Sequence, residues 1–438
     1  MTIGARHDRA LIPAGMTTIL PQTAERVRRL EGTLLACLGR WGYREIIPPT
    51  FEYLDVLSAG LEPEVIEQCY KFADRTTGRI LLLRPDVTAQ IARIVAMGLL
   101  EPNRPLRLCY RTTVFRDEPE HAGRERELFQ VGAELIGVDD VAMDGEILAL
   151  MIDCLEQIGL SAFTISLGHV GFFKGLLAKS GLSADAQKRA EQAAARKDLP
   201  RLEEILAEER VAKPKARGIL AAPGLYGRED VLEQGRKLAG RDRDLRAALD
   251  RLTRVYRLLA DCGLKQRLVL DLGEFRGFDY YDGVVFDVFA DGIGCELGGG
   301  GRYNHLIGRF GRDLPSTGFA FDVDRLFRAL DRGDGGARSV AGVLVSAQAS
   351  RGDRLFQVSR LLREAGFRVL QGRLRPSGAD PVRSAVEEGR AQAASAVVIL
   401  GAPGLSAEEA LVAAGPRLSV RRTVRIKELP ALLIKSDR

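Results

Sequence analysis

Hydrophobic residues recur every three to four positions from about residue 23 to residue 41. This spacing predicts an amphipathic helix that ends at Gly42. The same period predicts two more helices, at 89–97 and 143–158. Shorter apolar runs bounded by turn residues predict strands at 43–47, 80–83, 106–110, 129–136, 163–167, 268–272 and 284–289. Because these strands are joined mainly by loops and hairpins, the pattern predicts an α+β domain with an antiparallel sheet and flanking helices.

The pattern changes between residues 170 and 262, where Ala, Leu, Glu, Lys and Arg dominate and Gly and Pro are mostly confined to breaks. This composition predicts an all-helical insertion between two strands of the sheet. The Gly- and Asp-rich segment within 331–341 predicts a flexible linker that separates a domain of residues 1–330 from a second domain of residues 342–438. In the second domain, strands at 343–346, 367–370 and 397–400 alternate with helices at 354–365 and 381–393, which predicts a small α/β domain.

Composition narrows the protein class without naming a function. Apolar residues make up 46% of the 438 residues and charged residues 28%, as in a globular chain, and the net charge is 64 − 59 = +5. The basic residues are interleaved with acids, so an RNA partner is compatible with the charge and not required by it. Six isolated cysteines predict reduced thiols and a cytoplasmic chain. No metal site, cofactor or membrane span is expected from the spacing of the histidines and cysteines and the length of the apolar runs.

The stretch 114–135 is the first candidate for chemistry. It begins with a polar turn around Arg116 and continues into a strand in which Gln130, Gly132 and Glu134 share one face, because strand side chains alternate. An Arg, a Gln and a Glu directed into one pocket suit a zwitterion: the guanidinium attracts a carboxylate, and the acid and amide receive an ammonium or a ring N–H. The alternative is a solvated charged hairpin.

Two further segments offer polar side chains near predicted turns. Asp86 and Thr88 follow a strand and precede a helix, so they either meet a ligand ammonium or cap the helix. Tyr280 and Tyr281 are adjacent, and two adjacent residues cannot face the same side of a strand. One of them is therefore expected in the core, and the other is expected to present its hydroxyl to a ligand.

The last two segments are a glycine run and a strand that enters a helix. Residues 298–301 are all glycine, but neither the phosphate-loop pattern nor the dinucleotide pattern follows them. They predict a place where backbone packs tightly against a ligand ring, with a plain turn as the alternative. Arg325 lies at the junction of the predicted strand and helix within 314–326, where it either holds an anion or pairs with a surface acid.

Taken in order, these segments resemble the class II aminoacyl-tRNA synthetases, and within them the histidyl branch. Residues 42–48 are similar to the dimer-forming first motif, 115–134 to the second and 318–325 to the third, while 276–281 and 299–303 are similar to the two histidine-binding signatures. The resemblance implies a class II synthetase-like fold over residues 10–330, a homodimer and a histidine pocket. That pocket would consist of Asp86, Thr88, Arg116, Gln130, Glu134, Arg276, Tyr280 and Tyr281.

The family also has a non-catalytic branch, the regulatory subunits of ATP phosphoribosyltransferase, and three departures favour it. Asp86 replaces a glutamate of the synthetases, and Pro119-Glu120-His121 replaces a loop that carries an arginine. Asp322 replaces a glycine against which the nucleotide base would lie. A side chain there would occupy the space of the base, and an unpaired buried carboxylate would cost several kcal/mol.

The C-terminal domain points the same way, because it resembles a degenerate anticodon-binding domain. Residues 402–411 offer little for bases, while Arg421, Arg422, Arg425 and Lys427 either contact phosphate or form a solvated face. A tRNA partner is therefore not expected.

The resemblance implies a protein without catalytic residues that acts in the first step of histidine biosynthesis. Such a protein would bind a short-form ATP phosphoribosyltransferase catalytic subunit, support its activity and mediate feedback inhibition by L-histidine. The alternatives are a functional histidyl-tRNA synthetase and a histidine- or tRNA-binding module with neither role.

Overall fold

The computed structural model describes residues 12–13, 15–99, 105–117, 125–274, 280–331, 342–348, 351–372, 374 and 380–436. The chain forms two compact units, residues 1–335 and 336–438. The predicted linker, apart from Asp331, lies outside the described residues, as do Arg276 and the Pro119-Glu120-His121 segment. In the part of the chain that the structure describes, no helix is both long and apolar enough to cross a membrane.

The first unit contains both helices and strands throughout its length. Its helices are α1 (Pro21–Arg40), α2 (Leu54–Leu57), α3 (Pro63–Glu67), α4 (Thr88–Ala96), α5 (Val141–Gln157), α6 (Val170–Ala178), α7 (Ala184–Ala195), α8 (Leu199–Glu208), α9 (Lys213–Ala221), α10 (Asp230–Ala239), α11 (Arg243–Leu259) and α12 (Val323–Asp331). Its strands are β1 (Arg44–Glu45), β2 (Phe51–Tyr53), β3 (Lys71–Ala73), β4 (Ile80–Leu83), β5 (Leu106–Phe115), β6 (Glu127–Ile136), β7 (Phe163–His169), β8 (Tyr226–Gly227), β9 (Leu268–Asp271), β10 (Val284–Ala290), β11 (Gly298–Arg302) and β12 (Ser316–Asp322).

Nine of these strands form the main sheet, in the order β1-β5-β6-β12-β11-β10-β7-β9-β8. Most neighbours are antiparallel, but β1 pairs with β5 and β7 pairs with β9 in parallel. The prediction of an α+β fold is confirmed, and the sheet is mixed rather than purely antiparallel. A smaller antiparallel sheet has the order β2-β4-β3.

The two faces of the main sheet bury different groups, as β10 illustrates. Val284, Phe286 and Val288 belong to a large apolar core that includes α1, α5 and α11, whereas Val285 belongs to a second, aromatic-rich core with Tyr110. This alternation follows from the period of two along a strand. Helices thus cover one face, and the other face is free to form a cavity beside the second core.

Helix α1 shows how the local sequence sets these elements. Pro21 stands in its first turn, and Gly42 adopts φ +82° just beyond its end, a conformation that favours glycine. Between them one face is buried, comprising Val27, Leu30, Glu31, Leu34, Cys37 and Leu38. The period-3.6 pattern located this helix to within two residues at its start and one at its end.

The stretch 170–262 consists of α6 to α11 and also contains β8, so it is not entirely helical. Tyr226 and Gly227 pair with Asp271 and Leu270, which adds β8 to the edge of the main sheet. The helices of this stretch share one continuous apolar core with the sheet. The sequence missed β8 because a two-residue strand carries no periodicity.

The second unit is an α/β sandwich around one sheet. Its strands are β13 (Val343–Ala347), β14 (Val369–Gln371), β15 (Ala396–Leu400), β16 (Glu409–Ala414) and β17 (Val420–Arg425), and its helices are α13 (Gly352–Glu364), α14 (Pro381–Ala391) and α15 (Leu429–Ser436). The strands lie in the order β14-β13-β15-β16-β17. β13, β14 and β15 are parallel, as the predicted alternation requires, and β16 and β17 continue antiparallel. The sequence pattern did not predict β16, β17 or α15.

Candidate functional site

One cavity on the aromatic-rich face of the main sheet brings together seven of the eight predicted histidine-binding residues. The empty space, counting the open solvent at its mouth, is about 710 Å³. Its lining comprises Asp86, Thr88, Arg116, Leu128, Gln130, Glu134, Tyr280, Tyr281, Glu296, Gly298, Gly299, Tyr303, Gly318, Phe319, Ala320, Asp322 and Arg325. The eighth predicted residue, Arg276, lies outside the described residues.

Glu134 is the most deeply buried acid of the cavity, with 1% of its surface exposed. It lies on β6 on the same face as Gln130, as the alternation predicted. Thr88 donates a 2.8 Å hydrogen bond to Oε1, and the Tyr303 hydroxyl donates to Oε2. Burial raises the pKa of Glu134 to about 8, although both hydrogen bonds act in the opposite direction. The carboxyl is therefore poised to exchange a proton near neutral pH.

Asp86 serves both of the roles that the sequence left open. Its carboxylate accepts hydrogen bonds from the backbone N–H groups of Thr88 (3.3 Å) and Ala89 (3.1 Å) at the start of α4, and it also lines the cavity. Burial raises its pKa, and the charge of Arg116 lowers it. The cap fixes the carboxylate in place, so it faces the cavity without freedom to rotate away.

Arg116 follows the end of β5 and is held by the turn before α4. Its Nε donates a 2.9 Å hydrogen bond to the carbonyl oxygen of Pro85, next to Asp86. The guanidinium thus lies beside a carboxylate on the cavity wall. A positive and a negative group side by side suit the two charged ends of an amino acid.

Tyr280 and Tyr281 both line the cavity, so the expectation that one belongs to the core and only the other faces a ligand is wrong. The two residues precede β10 and do not lie in a strand, so their side chains are not forced to opposite faces. Their ring centroids are 4.6 Å apart, and Tyr303 contacts both rings edge-on at 5.7 and 6.3 Å. Tyr303 was not among the predicted site residues, although it ends the Gly-rich signature that pointed to this region.

The glycine run forms β11, a buried strand in the middle of the sheet, rather than a turn. A Cβ at Gly300 would collide with the carbonyl oxygen of Gly318 on β12, and a Cβ at Gly298 with that of Ala320. The backbone packs tightly here against a neighbouring strand, and its packing against a ligand ring stays a prediction. Gly298 and Gly299 also line the cavity, so this part of its wall is main chain.

At the other end of the cavity, Asp322 is paired, which corrects the expectation of an unpaired buried carboxylate. Its Oδ2 lies 3.0 Å from Nε of Arg325, and its Oδ1 accepts hydrogen bonds from the backbone N–H groups of Asp324 and Arg325 at the start of α12. Burial raises the pKa of Asp322, and the Arg325 charge lowers it. The carboxylate therefore caps a helix and neutralises an arginine.

Arg325 has a second acidic partner. Its NH1 lies 2.6 Å from the carboxylate of Glu296 and 2.8 Å from the Glu296 carbonyl oxygen. The Asp322 carboxylate raises the pKa of Arg325 despite burial, and Glu296 adds to the effect. The Arg325 guanidinium therefore forms ion pairs with two carboxylates. From the sequence it was expected either to hold an anion or to pair with a surface acid. Glu296 was missed because it lies outside every recognised motif.

Arg302, at the end of the same signature, serves the framework and not the cavity. It is 1% exposed, and its guanidinium lies 2.7 Å from Asp144 on α5 and 3.0 Å from Asn304. Arg251 on α11 contacts the other oxygen of Asp144. This buried ion pair network joins the sheet to two helices, and removing one partner from such a network is costly.

The charges that line the cavity favour a ligand with a positive group. Four carboxyl groups (Asp86, Glu134, Glu296 and Asp322) face two guanidinium groups (Arg116 and Arg325). Within the described ranges, no three His, Cys, Asp or Glu side chains gather as metal ligands. The arrangement suits an amino acid with a basic ring better than a triphosphate, because an anion would meet the carboxylates of Asp322 and Glu296.

Comparisons with known proteins show the family of this chain. A family model described as histidyl-tRNA synthetase matches residues 15–326. An ATP phosphoribosyltransferase regulatory subunit from Moorella thermoacetica is 41% identical over 359 residues, which cover 82% of this chain and 91% of that protein. The protein with the same description from Geobacter metallireducens is 38% identical over 359 residues, covering 82% of each chain.

Solved structures show the same architecture. A protein from Bacillus halodurans described as an ATP phosphoribosyltransferase regulatory subunit/histidyl-tRNA synthetase superposes with a TM-score of 0.76 at 28% identity, covering 87% of this chain and 96% of that one. A histidyl-tRNA synthetase from Nostoc sp. PCC 7120 superposes with a TM-score of 0.78 at 20% identity, covering 97% and 98%. The second likeness concerns the fold alone.

Proposed function

Because this chain belongs to the histidyl-tRNA synthetase family, in the branch of the ATP phosphoribosyltransferase regulatory subunits, we propose that it is a non-catalytic regulator of that enzyme. In this role it binds a short-form catalytic subunit, supports its activity in the first step of histidine biosynthesis, and mediates feedback inhibition by histidine. Its compartment is the cytoplasm, in keeping with six free cysteines.

The observation that carries the proposal is the contrast between the two ends of one cavity. At one end Asp86, Thr88 and Glu134 form a hydrogen-bonded set that suits an ammonium and an imidazole. At the other end Asp322 and Glu296 occupy Arg325. A cavity of this kind holds an amino acid and disfavours the triphosphate that adenylation needs, because the arginine is already neutralised.

The histidine site comprises the seven predicted residues that line the cavity, together with Arg276. In the proposed arrangement, Asp86 and Gln130 receive the ligand ammonium, and Arg116 attracts its carboxylate. Glu134 accepts a hydrogen bond from a ring N–H when it is ionised and donates one to a ring nitrogen when it is protonated. Tyr280 and Tyr281 pack against the ring, since flat aromatic faces suit a flat ligand.

Feedback requires that histidine bind the inhibited assembly more tightly than the active one, since a ligand with equal affinity for both shifts nothing. We propose that the chain forms a homodimer within a hetero-oligomer. The homodimer is inferred from the similarity of residues 42–48 to the dimer-forming first motif. The second unit, with no expected role in tRNA binding, is proposed to be a degenerate anticodon-binding domain.

Two assays on the purified full chain test the proposal. The first adds the chain to a short-form catalytic subunit and measures phosphoribosyl transfer to ATP with and without histidine. The second measures histidine-dependent exchange of pyrophosphate into ATP by the chain alone. We expect stimulation and histidine inhibition in the first and no exchange in the second.

The two contrary results of these assays would support two different alternative functions. Clear exchange would identify a working synthetase instead. No association with the catalytic subunit and no effect on its rate would leave a histidine-binding module.

A further inference from the structure

Lys197 connects the helical stretch of α6 to α11 with the strand that leads to the cavity. It follows α7 and adopts φ +55°, a conformation that costs about 1 kcal/mol or more for a residue other than glycine. Its Nζ lies 2.9 and 3.3 Å from the two carboxylate oxygens of Asp271 and 3.3 Å from the carbonyl oxygen of Pro223. Three acceptors from two segments therefore converge on one ammonium.

Asp271 ends β9 and is 5% exposed, so its charge depends on internal partners. Besides the ammonium of Lys197, its Oδ1 accepts a 2.8 Å hydrogen bond from the backbone N–H of Gly273. Gly273 has no room for a side chain, because a Cβ there would collide with the backbone of Pro223. The chain after β9 is thus shaped against the 222–225 turn of the helical stretch.

Backbone hydrogen bonds reinforce this junction. Leu272 donates a 3.0 Å bond to the carbonyl oxygen of Leu225, and β8 pairs directly with β9. The helical stretch therefore contributes main chain as well as Lys197 to the segment 271–274.

The segment 271–274 in turn contacts β7, which lies two strands away from the cavity-lining strand β11. Glu274 accepts a 3.1 Å hydrogen bond from Ser166 on β7 and packs against the backbone of Gly168. Ser166 is the register partner of Asp287, and Asp287 is the register partner of Gly299, which lines the cavity. Burial and the carboxylates of Asp287 and Asp271 raise the pKa of Glu274 to about 7, and Lys197 lowers it. After five further residues the chain reaches Tyr280, which lines the cavity.

We propose that Lys197 is a positioning residue through which the helical stretch and the histidine site are coupled. This coupling rests on the proposed histidine binding, and it connects the histidine site with the helical stretch through the contacts of Lys197. Lys197 holds Asp271, and Asp271 and Gly273 fix the chain as far as Glu274. Glu274 binds β7, and β7 pairs with β10, which pairs with the cavity-lining strand β11. By reciprocity, a ligand seated against β11 also stabilises the helical stretch.

The test uses the full chain, L-histidine and two lysine variants. Lys197→Met removes the ammonium, and Lys265→Met is a matched control, because Lys265 forms a half-exposed pair with Glu229. Calorimetry measures histidine affinity, and hydrogen exchange measures the protection of residues 184–227 with and without histidine. In the unmodified chain and in Lys265→Met we expect histidine to slow exchange in this range. In Lys197→Met we expect about tenfold weaker binding and no such protection.

A second set of variants separates coupling from stability. Lys197→Arg keeps the positive charge and is expected to restore most of the affinity. Lys197→Met combined with Asp271→Asn leaves no buried carboxylate without its cation, so it provides a folded variant even where the single change unfolds. Unchanged affinity and unchanged protection in Lys197→Met, or in Lys197→Met combined with Asp271→Asn, would overturn the coupling while leaving histidine binding intact. Absence of histidine binding in the unmodified chain would instead overturn the proposed function and the coupling together.

Discussion

The hydroxyl of Thr88 donates a 2.8 Å hydrogen bond to Glu134, and this bond joins the first residue of α4 to β6 across 46 positions of sequence. Tyr303 donates to the other oxygen of the same carboxyl. A ligand that binds Glu134 must therefore share or displace a hydroxyl that already satisfies it. The carboxyl is positioned before the ligand arrives, which reduces the cost of ordering it on binding.

Above about pH 8, where Glu134 is ionised, the Glu134→Gln variant is expected to bind histidine about tenfold to a hundredfold more weakly, because a hydrogen bond to a charged group contributes about 1.5–3 kcal/mol. Gln has nearly the same size, so the fold is expected to remain. Calorimetric titration with histidine measures the effect, and inhibition of the catalytic subunit should weaken in parallel. Glu204→Gln, which alters an exposed carboxylate paired with Arg201, is the control. Equal affinities in both variants would exclude Glu134 from the site.

The stability that Glu134 contributes to the fold is expected to fall as pH rises from about 4.5 to 8. The pKa of Glu134 is raised from 4.5 to about 8 in the folded chain, so this group holds more protons in the folded state than in the unfolded state between these values. Its contribution to the free energy of unfolding then decreases with pH through this window and levels off above it. Glu125 and Glu274, whose pKa values are raised to about 8 and 7, act in the same direction. His169, whose pKa burial lowers to about 4, acts in the opposite direction below about pH 6.5.

Denaturant unfolding at pH 5, 6, 7 and 8 isolates the share that belongs to Glu134. Glu134→Gln removes the titrating group, so its decrease between pH 5 and pH 8 should be smaller than that of the unmodified chain. Parallel curves for the two proteins would contradict the assignment of this proton to Glu134.

The Asp322→Gly variant is expected to bind ATP more tightly than the unmodified chain. The change removes a side chain from the cavity and releases Arg325 from one of its two carboxylates. It also removes a helix cap, so we expect a stability loss on the order of 1–2 kcal/mol. Calorimetry with ATP measures the gain. Asp322→Asn keeps the volume and removes the charge, so comparing the two variants separates space from electrostatics. ATP affinity that stays unchanged in both would mean that Asp322 does not exclude the nucleotide.

The Gly318→Ala variant is expected to lose about 1–3 kcal/mol of stability through overpacking, together with histidine binding. A Cβ at this position would collide with Oε2 of Glu134 and approach the carbonyl oxygen of Ala133 within 2.6 Å. Gly294→Ala is the control, because nothing lies within 4 Å of a Cβ there. Thermal unfolding and histidine titration of both variants measure the difference. A Gly318→Ala protein as stable as the control would show that the strands separate easily at this point.

The parts of the site that could be predicted from the sequence depend on local periodicity or on recognised motifs. Gln130 and Glu134 share a face because β6 alternates, and Asp86 caps α4 because a carboxylate before a helix accepts its free N–H groups. Both facts need only a few consecutive residues. The eight proposed ligand residues came from the family resemblance, and seven of them line one cavity.

The sequence did not predict contacts between site residues that lie far apart in the chain. Glu296 lies 29 residues before Arg325, and no motif links them. The hydrogen bond from Tyr303 to Glu134 joins residues 169 positions apart. A run of four glycines predicted backbone packed against a ligand ring, with a turn as the alternative, and no strand, because glycine is rare in strands. Here the neighbouring strands determine its conformation. Tertiary contacts decide such cases, and single-sequence patterns do not contain them.

Histidine bound against the strand of glycines at Gly298–Arg302 is expected to lengthen the lifetime of the protein in a cell. Four glycines inside a sheet cost roughly 2–4 kcal/mol relative to alanines, because glycine loses more conformational freedom on folding. A ligand seated against this strand adds contacts that the missing side chains do not make, and it stabilises the folded state in proportion to its saturation. Proteases act on the unfolded fraction, so a histidine-replete cell would degrade this protein more slowly than a starved one. The abundance of the regulator, and not only its activity, would then follow the supply of its ligand.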